Sequence, residues 1–183
     1  MKILILNGDA RPGNTPLTEY LAKFEAGLRA GKADVRRTDL AALDIRFCTG
    51  CWSCWWATPG RCAFRDGMEP IYPAFLESDL VVWAAPLVLG TVPALVKKTQ
   101  DRLIPLIHPY IELVEGECHH RKRYERYPEL GLVLEPGVED GRSDLDGARR
   151  LLERFALNFR SRLAFFGVTD GNPGEAAREA LAA

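Results

Sequence analysis

No run of apolar residues in this chain is long enough to cross a bilayer as a helix, so no membrane partner is expected. Charge of one sign is lacking too. The chain has 24 basic and 25 acidic residues, a net charge of -1. That balance offers no electrostatic footprint for nucleic acid or an anionic surface. There is no GxxxxGK(S/T), which excludes a nucleotide P-loop of that type, and no GxSxG nucleophile elbow. The loop after the first apolar run has no cysteine, so it is not the Cys–Arg phosphate loop of phosphatases of this general fold class. Repeats and low-complexity tracts are absent. The N-terminus enters a strand at once, without the charged, apolar and small-residue order of a leader. The expectation is a cytoplasmic protein with reduced thiols.

What is present suits one compact domain. The chain has 183 residues, 47% of them hydrophobic and 27% charged, enough to bury a real core. Its organising stretch is MKILILNGDARPGNT. Met1 to Leu6 reads as a buried strand, Asn7 to Gly13 as a tight loop, and Asn14 or Thr15 as a helix cap before Pro16. Such a loop gathers backbone N–H groups at the positive end of a helix, which suits an anion, most often a phosphate. The bland alternative is an ordinary strand-to-helix turn.

Periodicity carries the order of elements. Leu17, Tyr20, Leu21, Phe24 and Leu28 share one helical face, and Gly31 marks its stop. Ala33 to Leu40 reads as a strand, and its Arg36 and Arg37 place it at a sheet edge. Met68 to Glu77 reads as a short helix, Asp79 to Ala85 as a buried strand, and Pro86 to Gly90 as a second loop. Thr91 is expected to cap the next helix, with Pro93 in its first turn. Residues 105–128 read as an excursion, with Cys118, His119 and His120 in a solvated loop. Leu130 to Leu134 is a strand, Asp144 to Phe159 an amphipathic helix, Leu163 to Val168 a strand and Pro173 to Leu181 a closing helix. Alternating strands and helices imply an α/β fold, a doubly wound parallel sheet covered on both faces. Five strands fit the order 2-1-3-4-5. In that order the loops Gly8–Thr15 and Pro86–Gly90 face each other across one crevice.

Four of the five cysteines, Cys48, Cys51, Cys54 and Cys62, fall within 15 residues, in a loop spanning 47–66. Their local spacing is close to that of cubane iron–sulfur proteins. Zinc is a second reading, because soft thiolates suit it. A redox disulfide between Cys51 and Cys54 is a third. Packing as small apolar residues among Trp52, Trp55 and Trp56 is the fourth. The tryptophans and Phe64 can shield a cofactor or bury against another subunit.

Three motifs together resemble one family. ILNGDARPGNT resembles the phosphate loop GSPR..GNT of the flavodoxin-like NAD(P)H-dependent FMN reductases. CTGCWSCWWATPGRCAFRDGM resembles the cysteine segment of the branch related to iron–sulfur flavoproteins. WAAPLVLGTVPALVKKTQDR resembles its flavin loop and following helix. The resemblance implies FMN as cofactor and NAD(P)H as cosubstrate. It implies that Gly8, Asp9, Arg11, Gly13, Asn14 and Thr15 hold the phosphate, and that Pro86, Leu87, Val88, Leu89 and Gly90 line the isoalloxazine edge. No acid–base side chain is then indispensable, because the flavin carries the chemistry. It further implies a small-molecule electron acceptor or a redox partner protein, and a homodimer or homotetramer.

This sequence departs from the family pattern in four places. Asp9 stands where a small Ser is usual, which is unfavourable beside a dianion unless it points away or pairs with Arg11. The loop is one residue shorter than usual. Val88-Leu89 replace an aromatic, and Gly67 replaces the second Asp of the family's DDM. Two alternatives to the reductase stay open at this stage. One is an electron carrier with a 4Fe–4S cluster on Cys48, Cys51, Cys54 and Cys62. The other is a non-catalytic module with a structural metal.

Overall fold

Five strands form the central sheet, in the order β2-β1-β3-β6-β7 and all parallel. They are β1 (Lys2–Asn7), β2 (Asp34–Asp39), β3 (Leu80–Pro86), β6 (Glu129–Glu135) and β7 (Leu163–Val168). This is the expected order 2-1-3-4-5, with a hairpin inserted before the fourth core strand. The computed structural model describes residues 1–183 except Pro12 and Asn14.

The sheet is buried on both faces because its central strands are apolar through their middles, Ile3–Leu6 of β1, all of β3 and Leu130–Leu134 of β6. Ile3 and Ile5 of β1, with Leu80, Val82 and Ala84 of β3, enter one core. Leu4 and Leu6, with Val81, Trp83 and Ala85, enter the other. Alternation along each strand thus fills two cores at once, as a parallel sheet requires. The first core lies under α1 (Pro16–Ala30) and α6 (Pro173–Leu181). The second lies under α3 (Ile71–Glu77), α4 (Ala94–Asp101) and α5 (Arg142–Leu157). The polar β2 sits at the edge, as its arginines predict.

Two expectations are corrected. Residues 105–128 are not a bare excursion: they fold as an antiparallel hairpin of β4 (Ile107–Val114) and β5 (Glu117–Lys122). His119 and His120 therefore lie on a strand, not in a solvated loop. His119 Nε2 meets Glu117 at 3.2 Å, and the His120 ring packs 5.1 Å from Trp55. Thr91 does not cap α4, since Pro93 holds the N-cap position. Thr91 instead exchanges backbone hydrogen bonds with Val88, a tertiary use that overrides its capping propensity.

Candidate functional site

Gly8 lies where β1 leaves the sheet, and its N–H donates to Ala84 O at 2.8 Å. A Cβ there would stand 2.2 Å from Val96 Cγ2, so the residue must be glycine for α4 to pack this close to the loop. Asn7 fixes the next step. Its Nδ2 donates to Asp39 Oδ1 at 2.9 Å, and its Oδ1 accepts from Asp9 N at 3.1 Å. The turn that results aims Asp9 inward.

Asp9 and Glu135 hold Arg11 between them. Arg11 Nε and Nη2 each donate to the Asp9 carboxylate at 2.8 Å, and Arg11 N adds a bond at 3.0 Å. On the other side Nη1 and Nη2 donate to Glu135 at 2.8 and 2.6 Å. Each pairing is a two-pronged fork, the strong form of a charge-assisted bond. Both carboxylates are nearly buried, with side-chain exposures of 3% for Asp9 and 11% for Glu135. Glu135 arrives from the end of β6 and also accepts from Leu17 N, in the first turn of α1, at 2.8 Å. Thr15 caps the same helix: its Oγ1 accepts from Thr18 N at 3.1 Å and donates to Asp9 at 2.8 Å. Burial opposes ionisation of Asp9. The bonds from Arg11 and Thr15 outweigh it and bring the Asp9 carboxyl down from 3.8 to about 2. The same bonds from Asp9, then Glu135, push the Arg11 guanidinium further up.

The second loop is a stiff finger. Val88 and Thr91 exchange N–H···O bonds of 2.8 and 3.2 Å around Leu89 and Gly90. Both central residues have positive φ, 52° and 73°, the signature of a type I′ turn. Leu89 at the tip is 98% exposed, and Leu87 behind it is buried. Leu87 N donates to Glu135 O at 2.8 Å, so one residue ties both loops together. The Asn7↔Ala84 register brings the two loops to one edge of the sheet.

The cysteine segment forms a separate small site. Cys48, Cys51, Cys54 and Cys62 line one cavity of about 50 Å³, together with Phe64 and Arg102. Yet among the described residues no three His, Cys, Asp or Glu side chains are gathered so that they could hold a metal ion. Sharing a wall is a looser condition than converging on one point, and the second is what a cluster needs. Burial, with the neighbouring thiols, pushes Cys54 up to about 11. Hydrogen bonding to Ser53 lowers the exposed Cys51. The segment is anchored by Asp66, whose carboxylate pairs with Arg102 at 2.7 and 3.0 Å. Both side chains are 1% exposed.

A sequence model of the flavodoxin-like fold matches residues 1–105, more than half of the chain. The chain belongs to the flavodoxin-like family. An iron-sulfur flavoprotein of Archaeoglobus fulgidus is 33% identical over 75 residues, which cover 41% of this chain. The match spans 33% of that relative's own length. The NAD(P)H:quinone oxidoreductase from Methanothermobacter marburgensis has a similar structure, with a TM-score of 0.71 and 15% identity over 97% of this chain and 93% of that one. An FMN-dependent NADH-azoreductase from Bacillus anthracis, solved with FMN, has a TM-score of 0.64 and 14% identity over 98% and 93%.

In this flavodoxin-like chain the two halves of the crevice differ. The turn at Val88–Gly90 offers an apolar edge that suits a flavin ring. Among the described residues, the phosphate half does not fit the FMN dianion as arranged. The backbone N–H groups of Gly8, Asp9, Arg11, Leu17 and Thr18 are all engaged within the protein, and two carboxylates stand against one guanidinium. Of the expected phosphate ligands, Asp9, Arg11 and Thr15 bond one another, and Gly13 takes a positive φ of 83°. Asn14 lies outside the described residues. Glu135 was not anticipated as a site residue: it is 124 positions from Arg11 and carries no local signal.

Proposed function

We propose that this chain is a flavin-dependent oxidoreductase that takes electrons from NAD(P)H and passes them to a small acceptor. The observation that carries the reading is the meeting of two loops, Gly8–Thr15 and Pro86–Gly90, at the carboxyl edge of β1 and β3. Open α/β sheets bind ligands at this switch point. The family assignment and the reductase names of the structural neighbours support it. A bound flavin would supply the two-electron chemistry. The chain's own part is positional. The Leu89 tip presents apolar surface to a ring edge, and the Val88–Thr91 bonds keep it rigid.

A cavity of about 580 Å³ that begins at Thr91, beside the turn, supports a reading of the acceptor class. Trp83, Leu132 and Phe155 form apolar walls, and Lys97 and Arg154 stand among the lining residues. That lining suits a planar aromatic acceptor with an anionic substituent. A homo-oligomer is part of this reading. Phe47 and Trp56 are each 66% exposed and Trp52 is also exposed, and such aromatics are enriched at interfaces. A cytoplasmic location is consistent with five free cysteines. No helix among the described residues is long and apolar enough to cross a membrane.

The test is an anaerobic titration of the purified chain with riboflavin and with FMN, followed by NADH or NADPH. The expected result is a perturbed visible flavin spectrum that bleaches with the nucleotide. Flavin spectra identical to those in buffer, at protein concentrations well above the flavin, would end this reading.

A further inference from the structure

We propose that Asp9 and Glu135 fill the phosphate position of this crevice with the chain's own carboxylates, so that it selects a flavin lacking the terminal phosphate over FMN. The inference rests on the flavin reading above and specifies its ligand.

Helix N-termini attract anions because their first N–H groups have no partner within the helix. In the first turn of α1 two of these N–H groups, those of Leu17 and Thr18, already have partners. Pro16 has no N–H, Leu17 N donates to Glu135 at 2.8 Å, and Thr18 N donates to Thr15 Oγ1 at 3.1 Å. Arg11 is the cation of the loop, and both edges of its guanidinium are forked onto carboxylates. Asp9 turns its remaining lone pairs toward Thr15 and the Arg11 backbone. A phosphate that takes the Arg11 guanidinium or the Leu17 N–H as donor would therefore have to break charge-assisted bonds. It would also sit beside two buried negative charges countered by one positive charge. Like charges at hydrogen-bond separations repel strongly where solvent is excluded. A hydroxyl-terminated ribityl chain escapes both costs. It carries no charge, and its hydroxyls can donate to the carboxylate oxygens.

A helix cap alone would not explain the arrangement. Thr15 already caps α1 locally. Glu135 instead crosses from the end of β6, two strands away from β1 in the sheet, to reach Leu17 and Arg11. The chain thus imports an anion to the place where related loops are expected to receive one.

The experiment compares dissociation constants for riboflavin and FMN by flavin fluorescence quenching at low salt, in the wild type and in Asp9→Asn/Glu135→Gln. These changes remove charge and keep shape, and each single variant is carried with a thermal melt to confirm folding. The wild type is expected to bind riboflavin at least about tenfold more tightly than FMN. The double variant is expected to tighten FMN by about tenfold or more and to leave riboflavin within about threefold. Wild-type protein that binds FMN as tightly as riboflavin, or more so, overturns the inference and leaves the flavin reading standing. Binding of neither flavin to either protein overturns both. The wild-type comparison decides the matter even if a variant fails to fold.

Discussion

Asp9 shows how two opposed effects are settled at a single residue. Its side chain is 97% removed from solvent, which on its own favours the neutral acid. Four hydrogen bonds to its carboxylate, three from Arg11 and one from Thr15, outweigh that burial and keep it ionised. The group's pKa falls from 3.8 unfolded to about 2 folded. A depressed carboxylate stabilises the fold above its unfolded value and loses that contribution as pH drops through its folded value. The shift corresponds to ~2 kcal/mol, present above pH 3.8 and lost toward pH 2. In urea denaturation, the stability gap between wild type and Asp9→Asn should shrink over that window. A gap that stays constant from neutral pH down to pH 2 would refute the bridge as the source of the shift.

At the level of elements, the cysteine segment depends on a buried pair rather than on its own secondary structure. Its one helix, α2 (Ser53–Trp56), is a single turn, too short to hold itself. Arg102, at the end of α4, reaches back to Asp66 and to Arg46 O at 2.8 Å, and its guanidinium lies 5.2 Å over the Phe64 ring. Trp55 adds a second tether: its Nε1 donates to Ile107 O at 3.1 Å, linking α2 to β4. Removing Asp66 would leave Arg102 buried and unpaired. Asp66→Ala should therefore cost about 3–5 kcal/mol, measured from the denaturant midpoint. A loss below about 1 kcal/mol would show that the pair is not what anchors the segment. The departure at Gly67 also finds its reason here. A Cβ would stand 2.8 Å from Leu43 Cβ and 3.0 Å from Asp44 O, so a second aspartate has no room.

For the whole molecule, the two cores close around the sheet but leave Phe47, Trp52 and Trp56 outside. These aromatics belong to one segment beside the Cys48–Cys62 cavity. Burying them against a second copy would remove apolar surface from water at about 25 cal/mol per Å². Size-exclusion chromatography with light scattering should give a multiple of the 20.4 kDa chain mass, and Trp56→Glu should shift it toward one copy. A wild-type mass of one chain across micromolar concentrations would remove the oligomer from the proposal.

The sequence by itself determined the frame: β1 and β3 as unbroken apolar runs, α1 by its Leu17–Leu28 face, β2 as the polar edge, and the alternation that dictates a parallel sheet. These features are local or periodic, and burial on two faces leaves a strand little choice of residue. The hairpin β4–β5 was not legible, because most of its side chains are not buried and Pro109 interrupts its first strand. Burial is what writes a strand pattern into sequence, and a flap on the surface escapes it. The candidate site divides the same way. Asp9 beside Arg11 is visible at two residues' separation, and its pairing follows from charge alone. The partner that completes the bridge, Glu135, is set by strand order: only when β6 lies beside β3 does its last residue reach the start of α1. Sequence spacing holds no record of that neighbourhood, so whether the loop offers its donors to a ligand or to the chain itself was decided by the tertiary structure.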